Sequence, residues 1–315
     1  MLTSFFDKSN PINFLILSLF MLFGFIGHFI ITQPIGYNWG VILNYSVCLI
    51  ICVFSMLLVD FIIRKNALTR LNTFGILFFT CFLFMFPVIL LEKNILISNL
   101  ILLLAFRRIL SLKTERNLEK KILDASIWIS IAALFYTYSI LYFVILFASI
   151  FRKKHTTYKH LLIPFVGFLS VFICLTAYNY LVNGSFDWFY QIELEISKDF
   201  SAYNSFEIII PLSLFLSLLI WAGIHRIYKL PTIPKKWKPN YLLMLLIAAA
   251  SIIVVLSSPQ KTGAELVFLI APTAIIVANY IEESDSKHKK GNDNKWFKEG
   301  LLWLVIVLPI VLMIS

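Results

Sequence analysis

The sequence predicts an all-α protein, a polytopic transmembrane helical bundle of about eleven membrane segments, and three observations carry that expectation. Sixty per cent of the residues are hydrophobic and only 14% are charged, well below the roughly one quarter that a water-soluble domain carries. Apolar runs succeed one another along the whole chain, most of them close to the ~17 to 25 residues that cross a hydrocarbon core as a helix. The 27 Lys and Arg residues stand in short clusters between those runs, the distribution that orients a membrane protein. The net charge of +10 is therefore a signature of orientation, and nucleic acid is not an expected partner.

The whole of 1–315 reads as one integral membrane domain. Its first apolar run, 12–31, follows a polar entry that ends at Pro11, a natural first helical residue. The run lacks a small-residue cleavage site, so the expectation is a retained span and not a signal peptide. A connection without charge, Thr32 to Gly40 (TQPIGYNWG), leads to 41–63. After Arg64, Lys65 and Arg70 comes 72–91, where Pro87 predicts a kink. The next run, 95–110, ends on Arg107 and Arg108, placed to snorkel into headgroups. Beyond the basic stretch 113–121 lie 121–136 and 138–151, then 161–182 and a long loop, 183–205, mixing acids with large apolar residues. The remaining runs are 206–227, 241–256, 265–281 and 297–314, with 282–296 expected as a flexible cytoplasmic loop.

The stretch from Lys121 to Phe151 decides the sidedness of everything after it. As a single helix its about thirty residues would run roughly 45 Å, too long for a ~30 Å core; divided in two, each half is short. Charge resolves the choice. If the stretch is a broken hairpin turning at Tyr136-Thr137-Tyr138-Ser139, all Lys and Arg except Lys93, Lys198 and Lys261 fall on one side. If it crosses once, the two sides come out nearly even. The positive-inside rule selects the hairpin, with the amino terminus cytoplasmic and the carboxyl terminus outside. The polar apex then needs protein or water around it, because lipid cannot satisfy an opened backbone.

Few residues suggest chemistry. The outward carboxylates include Glu92 and Asp187, the candidate catalytic acids. Lys261 and Glu265 stand four apart at the start of a span, a spacing suited to an ion pair or an anionic headgroup site, and with Tyr136 and Tyr138 of the apex they are the candidate substrate-binding residues. His28 reads as a hydrogen-bonded core histidine before a proton relay. Cys48, Cys52, Cys81 and Cys174 all lie in apolar runs and read as small buried hydrophobes. No metal signature, phosphate loop, nucleophile elbow or dinucleotide motif occurs, so neither metal nor cofactor is expected.

Several of these stretches together resemble the GT-C type of polytopic glycosyltransferase, which uses lipid-phosphate-linked sugars. They are AFRRILSLKTERN; the hairpin ILDASIWISIAALFYTYSILYFVILFASIFRKK; the span ending in YNYLVNGS; and KTGAELVFLIAPTAIIVANYIEE. The resemblance covers about 95–282. The opening MLTSFFDKSNPINFL is similar to that of a bacterial inner-membrane family without an assigned activity. The resemblance to GT-C enzymes implies a lipid partner, a polyprenyl-phosphate-linked glycan among the candidates, and a place in the cell envelope. It also implies an acid in the first outer loop as catalytic base. Here that loop holds Gln33, Tyr37 and Asn38 and no carboxylate, and none of these replaces a general base. The expectation is thus a non-enzymatic subunit or lipid-glycan binding component of an envelope assembly, with an envelope protein as partner. A lipid-linked glycosyltransferase whose base is Glu92 or Asp187, and a transporter using the hairpin as its substrate site, are the alternatives.

Overall fold

The computed structural model describes residues 2–32, 39–114, 116–153, 156–186, 188, 195–235, 237–287 and 293–314, with backbone alone for 283–287, 293–295 and 313–314. Every regular element among them is helical. In chain order the α-helices are α1 (Leu2–Phe6), α2 (Pro11–Thr32), α3 (Trp39–Asn66), α4 (Phe74–Phe84), α5 (Lys93–Ser111), α6 (Leu118–Phe135), α7 (Phe143–Phe151), α8 (Tyr158–Asn183), α9 (Phe206–Lys229), α10 (Lys238–Leu256), α11 (Val267–Lys287) and α12 (Asp293–Ile314). Seven helical stretches, Pro11–Thr32, Trp39–Asn66, Lys93–Ser111, Tyr158–Asn183, Phe206–Thr232, Lys238–Leu256 and Ala264–Glu282, are long and apolar enough to cross a membrane.

The element boundaries follow from local chemistry. Pro11 opens α2, where its missing N–H costs nothing. Thr157 caps α8 reciprocally with His160, and Gly184 closes that helix at φ 67° while its N–H reaches the Tyr180 carbonyl at 3.0 Å, a left-handed cap that glycine adopts without strain. Pro87 does more than kink its span: α4 has already ended at Phe84, and a 3-10 helix, Pro87–Leu91, carries the chain on to α5.

The stretch 118–151 is divided. Tyr136 is extended, with φ −148° and ψ 103°, and a 3-10 helix, Thr137–Tyr142, follows and runs into α7. The pair turns back on itself. Lys121 Nζ reaches the Ser111 carbonyl at the end of α5 (2.8 Å), and Arg152 reaches the Pro239 carbonyl in the first turn of α10 (3.2 Å). The intervening Tyr138 instead donates to the Glu195 carbonyl in the loop after α8 (2.8 Å). Protein surrounds the apex. Ser139 is fully buried and bonds Ser98 at 2.8 Å, while Tyr142 bonds Ser251 of α10 at 2.8 Å. Neighbouring helices supply polar partners there, as a low-dielectric site requires.

Burial identifies the axis and the rim. In α11 94% of the apolar window is buried, against 11% in α8 and 17% in α2. α4, α9 and α10 surround α11, and α8 lies against α6. The α6 to α8 approach depends on Gly167, where an added Cβ would meet Ser126 Oγ at 1.9 Å. Cys48, Cys52 and Cys81 are buried, but Cys174 is exposed on α8, because that rim helix turns most of its surface outward.

The ends that carry the basic clusters are stitched together. Leu2, Thr3 and Glu299 join α1 to α12. Asp60 pairs with Arg64 and Asp124 with Arg108 at 2.6 and 3.0 Å. Within the loop expected over 282–296, the described residues are helical. α11 continues to Lys287 and α12 begins at Asp293, with Glu282 buried and accepting from the Arg70 N–H and from Asn72.

Candidate functional site

Most of the sequence-derived candidates meet at the end opposite the basic clusters, around the turn between α10 and α11. Gly263 takes φ 94° there, a conformation a side chain disfavours, and a 3-10 turn, Ala264–Leu266, leads into α11. The four-residue spacing of Lys261 and Glu265 therefore does not place them on one helical face. Lys261 precedes the helix, and the left-handed residue between them sends the two side chains to different partners.

The Lys261 ammonium closes the end of α10. It donates to the carbonyls of Leu256 (2.8 Å), Ser258 (3.4 Å) and Val255 (3.5 Å), groups that a helix terminus otherwise leaves without a partner. It also lies 4.9 Å from the centre of the Phe200 ring, within cation–π range. Burial lowers its affinity for the proton, and the charge of Glu265 opposes that effect.

Glu265 is completely buried. Its Oε1 accepts from the Tyr203 hydroxyl at 2.7 Å; its Oε2 accepts from the Gly263 N–H at 3.0 Å and from Thr262 Oγ1 at 3.4 Å. A buried carboxylate is tolerable only with such donors. Tyr203 is held protonated well above the usual phenol range, first by burial and then by the charge and hydrogen bond of Glu265.

Tyr136 is buried, its ring 4.9 Å from Phe268 and 6.1 Å from Tyr138. Tyr138 fastens the loop after α8 through Glu195, and the Ser197 N–H reaches the Ser258 carbonyl at 3.3 Å. Glu92 is exposed between the 3-10 helix Pro87–Leu91 and α5, makes no side-chain cap there, and its 3-10 helix packs against Ala264–Leu266. Asp187, Gln33, Tyr37 and Asn38 lie outside the described residues. His28 is buried beside Tyr45, 3.4 Å from its hydroxyl.

Tyr203, Phe200 and Ser258 complete this cluster and were not singled out in the sequence. Their only signal was membership of the loop that mixes acids with large apolar residues, or of the turn before Lys261. Chemically the cluster is closed. Its ammonium and its carboxylate spend their hydrogen-bonding capacity on the protein's own groups, which fasten the hairpin apex, the 195–204 loop and the α10 to α11 turn.

Fold and composition together define an all-helical protein, among the described residues, with helices long and apolar enough to cross a membrane. The model of the Family of unknown function (DUF6427) matches residues 1–314, and the chain belongs to that family. No curated protein and no solved structure matches it.

Proposed function

We propose that this is a multi-pass protein of the bacterial inner membrane in which all the apolar helices, about eleven segments, contribute to one GT-C-like core. Its amino terminus is cytoplasmic and its carboxyl terminus outside. It serves as a non-enzymatic subunit or lipid-glycan binding component of a cell-envelope assembly. The observation that carries the non-enzymatic reading is the closed state of the Lys261 and Glu265 cluster. A side chain that binds a substrate must reach it within hydrogen-bond distance, and Glu265, a candidate substrate-binding residue, is fully buried on Tyr203, Gly263 and Thr262. The orientation rests on the positive-inside distribution, and what supports it is that Leu112 and Lys113 after α5, Ser149 and Arg152 around the end of α7, and Pro239 of α10 line one pocket, with Lys121 bonded to Ser111.

The test is isolation in a mild detergent. A stoichiometric protein partner is expected to copurify, and the Glu92→Ala variant is expected to keep the wild-type envelope glycan. One observation favours the enzymatic alternative: Glu92 is exposed next to the turn that carries Glu265. Loss of a glycan in Glu92→Ala at normal expression, with no partner recovered, would replace the assembly reading by a lipid-linked glycosyltransferase acting at the outer face.

A further inference from the structure

At the opposite end of the bundle a cavity of about 430 Å³ opens between the α3 to α4 turn, the end of α9, the start of α10 and α11. Its size lies in the range of small-ligand sites, roughly 300 to 1,000 Å³. Thr69, Arg70, Lys229, Trp237, Tyr241 and Glu282 supply its polar and aromatic walls.

The cavity is built, not incidental. Ala67 adopts a left-handed φ of 47°, and the turn it makes closes α3 through Leu68 N–H to the Ile63 carbonyl at 3.0 Å. That turn presents Arg70, whose backbone N–H donates to Glu282 Oε2 at 2.9 Å while Asn72 holds Oε1 at 2.5 Å. The carboxylate is thereby held by the loop, and the Arg70 charge also acts on it. The Arg70 side chain is exposed, and among the described residues no hydrogen bond engages its guanidinium. Lys229 faces the same space, and Arg226 lies behind Tyr241, 4.1 Å from the ring centre, lining a smaller adjoining cavity with Lys229. A planar guanidinium fork and an ammonium lining one cavity are side chains suited to holding a phosphate. Trp and Tyr at a helix end mark headgroup depth, and basic pockets between membrane helices suit lipid headgroups.

We propose that this cavity binds the phosphate group of an anionic ligand, with Arg70 and Lys229 as the primary contacts and Trp237 beside the group that carries the phosphate. The proposal concerns the end of the molecule away from the Lys261 cluster and stands apart from the assembly reading.

The test measures lipid retention by native mass spectrometry and thermal stability of the purified full chain in a neutral detergent. Phosphatidylglycerol, phosphatidylcholine and inorganic phosphate are added separately. Wild type is expected to bind phosphatidylglycerol over phosphatidylcholine. The Arg70→Ala, Lys229→Ala double variant should lose affinity by about tenfold or more, while Lys120→Ala, at the same end but outside the cavity, should not. If the double variant does not fold, Thr232→Asp, which puts a carboxylate on the exposed rim, should weaken binding by repulsion. A response to phosphatidylglycerol alone identifies a lipid headgroup; an equal response to inorganic phosphate identifies a soluble phosphate compound, and either supports the site. Equal retention of the two lipids with no response to phosphate, or a folded double variant that binds as wild type does, or, where that variant does not fold, a Thr232→Asp variant that binds as wild type does, would overturn it.

Discussion

The Tyr203 hydroxyl donates to Glu265 Oε1 at 2.7 Å across 62 positions of sequence, joining the loop before α9 to the turn before α11. Replacing Glu265 by alanine leaves the Gly263 N–H and the Tyr203 hydroxyl without their acceptor in a buried site. The expected cost is roughly 2 to 4 kcal/mol, against about 1 to 2 kcal/mol for Tyr203→Phe, which keeps the carboxylate and its other donors. Thermal unfolding in detergent measures both. A Glu265→Ala protein as stable as wild type would refute the structural role assigned to this carboxylate.

The same bond has a pH signature. The Tyr203 phenol is held above its ordinary value of 10.0, so in the alkaline range the folded state keeps a proton that the unfolded state has lost. Stability contributed by this group is complete below pH 10 and declines as pH rises beyond it. Lys261 is held below its ordinary value of 10.5 by burial and contributes the opposite slope. Tyr203→Phe with Lys261 intact should therefore lose stability less steeply between roughly pH 9 and 11 than wild type does. Identical slopes in urea titrations across that range would show that the phenol does not titrate as placed.

Close approach of α6 and α8 is a matter of two small residues. A Cβ on Gly167 would lie 1.9 Å from Ser126 Oγ and 2.8 Å from its Cβ. Rotation of the hydroxyl cannot relieve the second contact. Gly167→Leu should force the rim helix away from the bundle at a cost of about 1 to 3 kcal/mol, as overpacking does. Gly167→Ala should be milder and should recover when combined with Ser126→Gly. Failure of the double variant to recover would mean that the contact does not set the helix spacing.

The fold class was legible in the sequence because membrane solvation leaves helices few alternatives, and the breaks at Pro87 and Tyr136 fall where proline and a polar cluster interrupt apolar runs. The candidate site was legible only as a set of residue types. Spacing suggested a helical pair for Lys261 and Glu265, but the positive φ of Gly263, which no periodicity reports, separates them. Tyr203 reaches the cluster through loop geometry, and the burial of Ser139 follows from Ser98 on α5, both long-range contacts. Asp187 lies outside the described residues. The cavity at Arg70 was invisible for a related reason: its walls come from segments spread over more than two hundred residues, from Ala67 to Glu282.

Whether 118–151 turns back within the membrane is tested most directly by cysteine accessibility in intact cells, against a background with the native cysteines replaced. Because Ser139 is buried, the apex probe belongs at Ile140, which is 39% exposed. Lys120→Cys and Lys153→Cys should react only with reagents that reach the cytoplasm, and Ile140→Cys only from the outer face. Reaction of Lys120→Cys and Lys153→Cys from opposite faces would mean a single crossing, and with it the hairpin, the charge asymmetry and the placement of the Lys261 cluster outside would all fall.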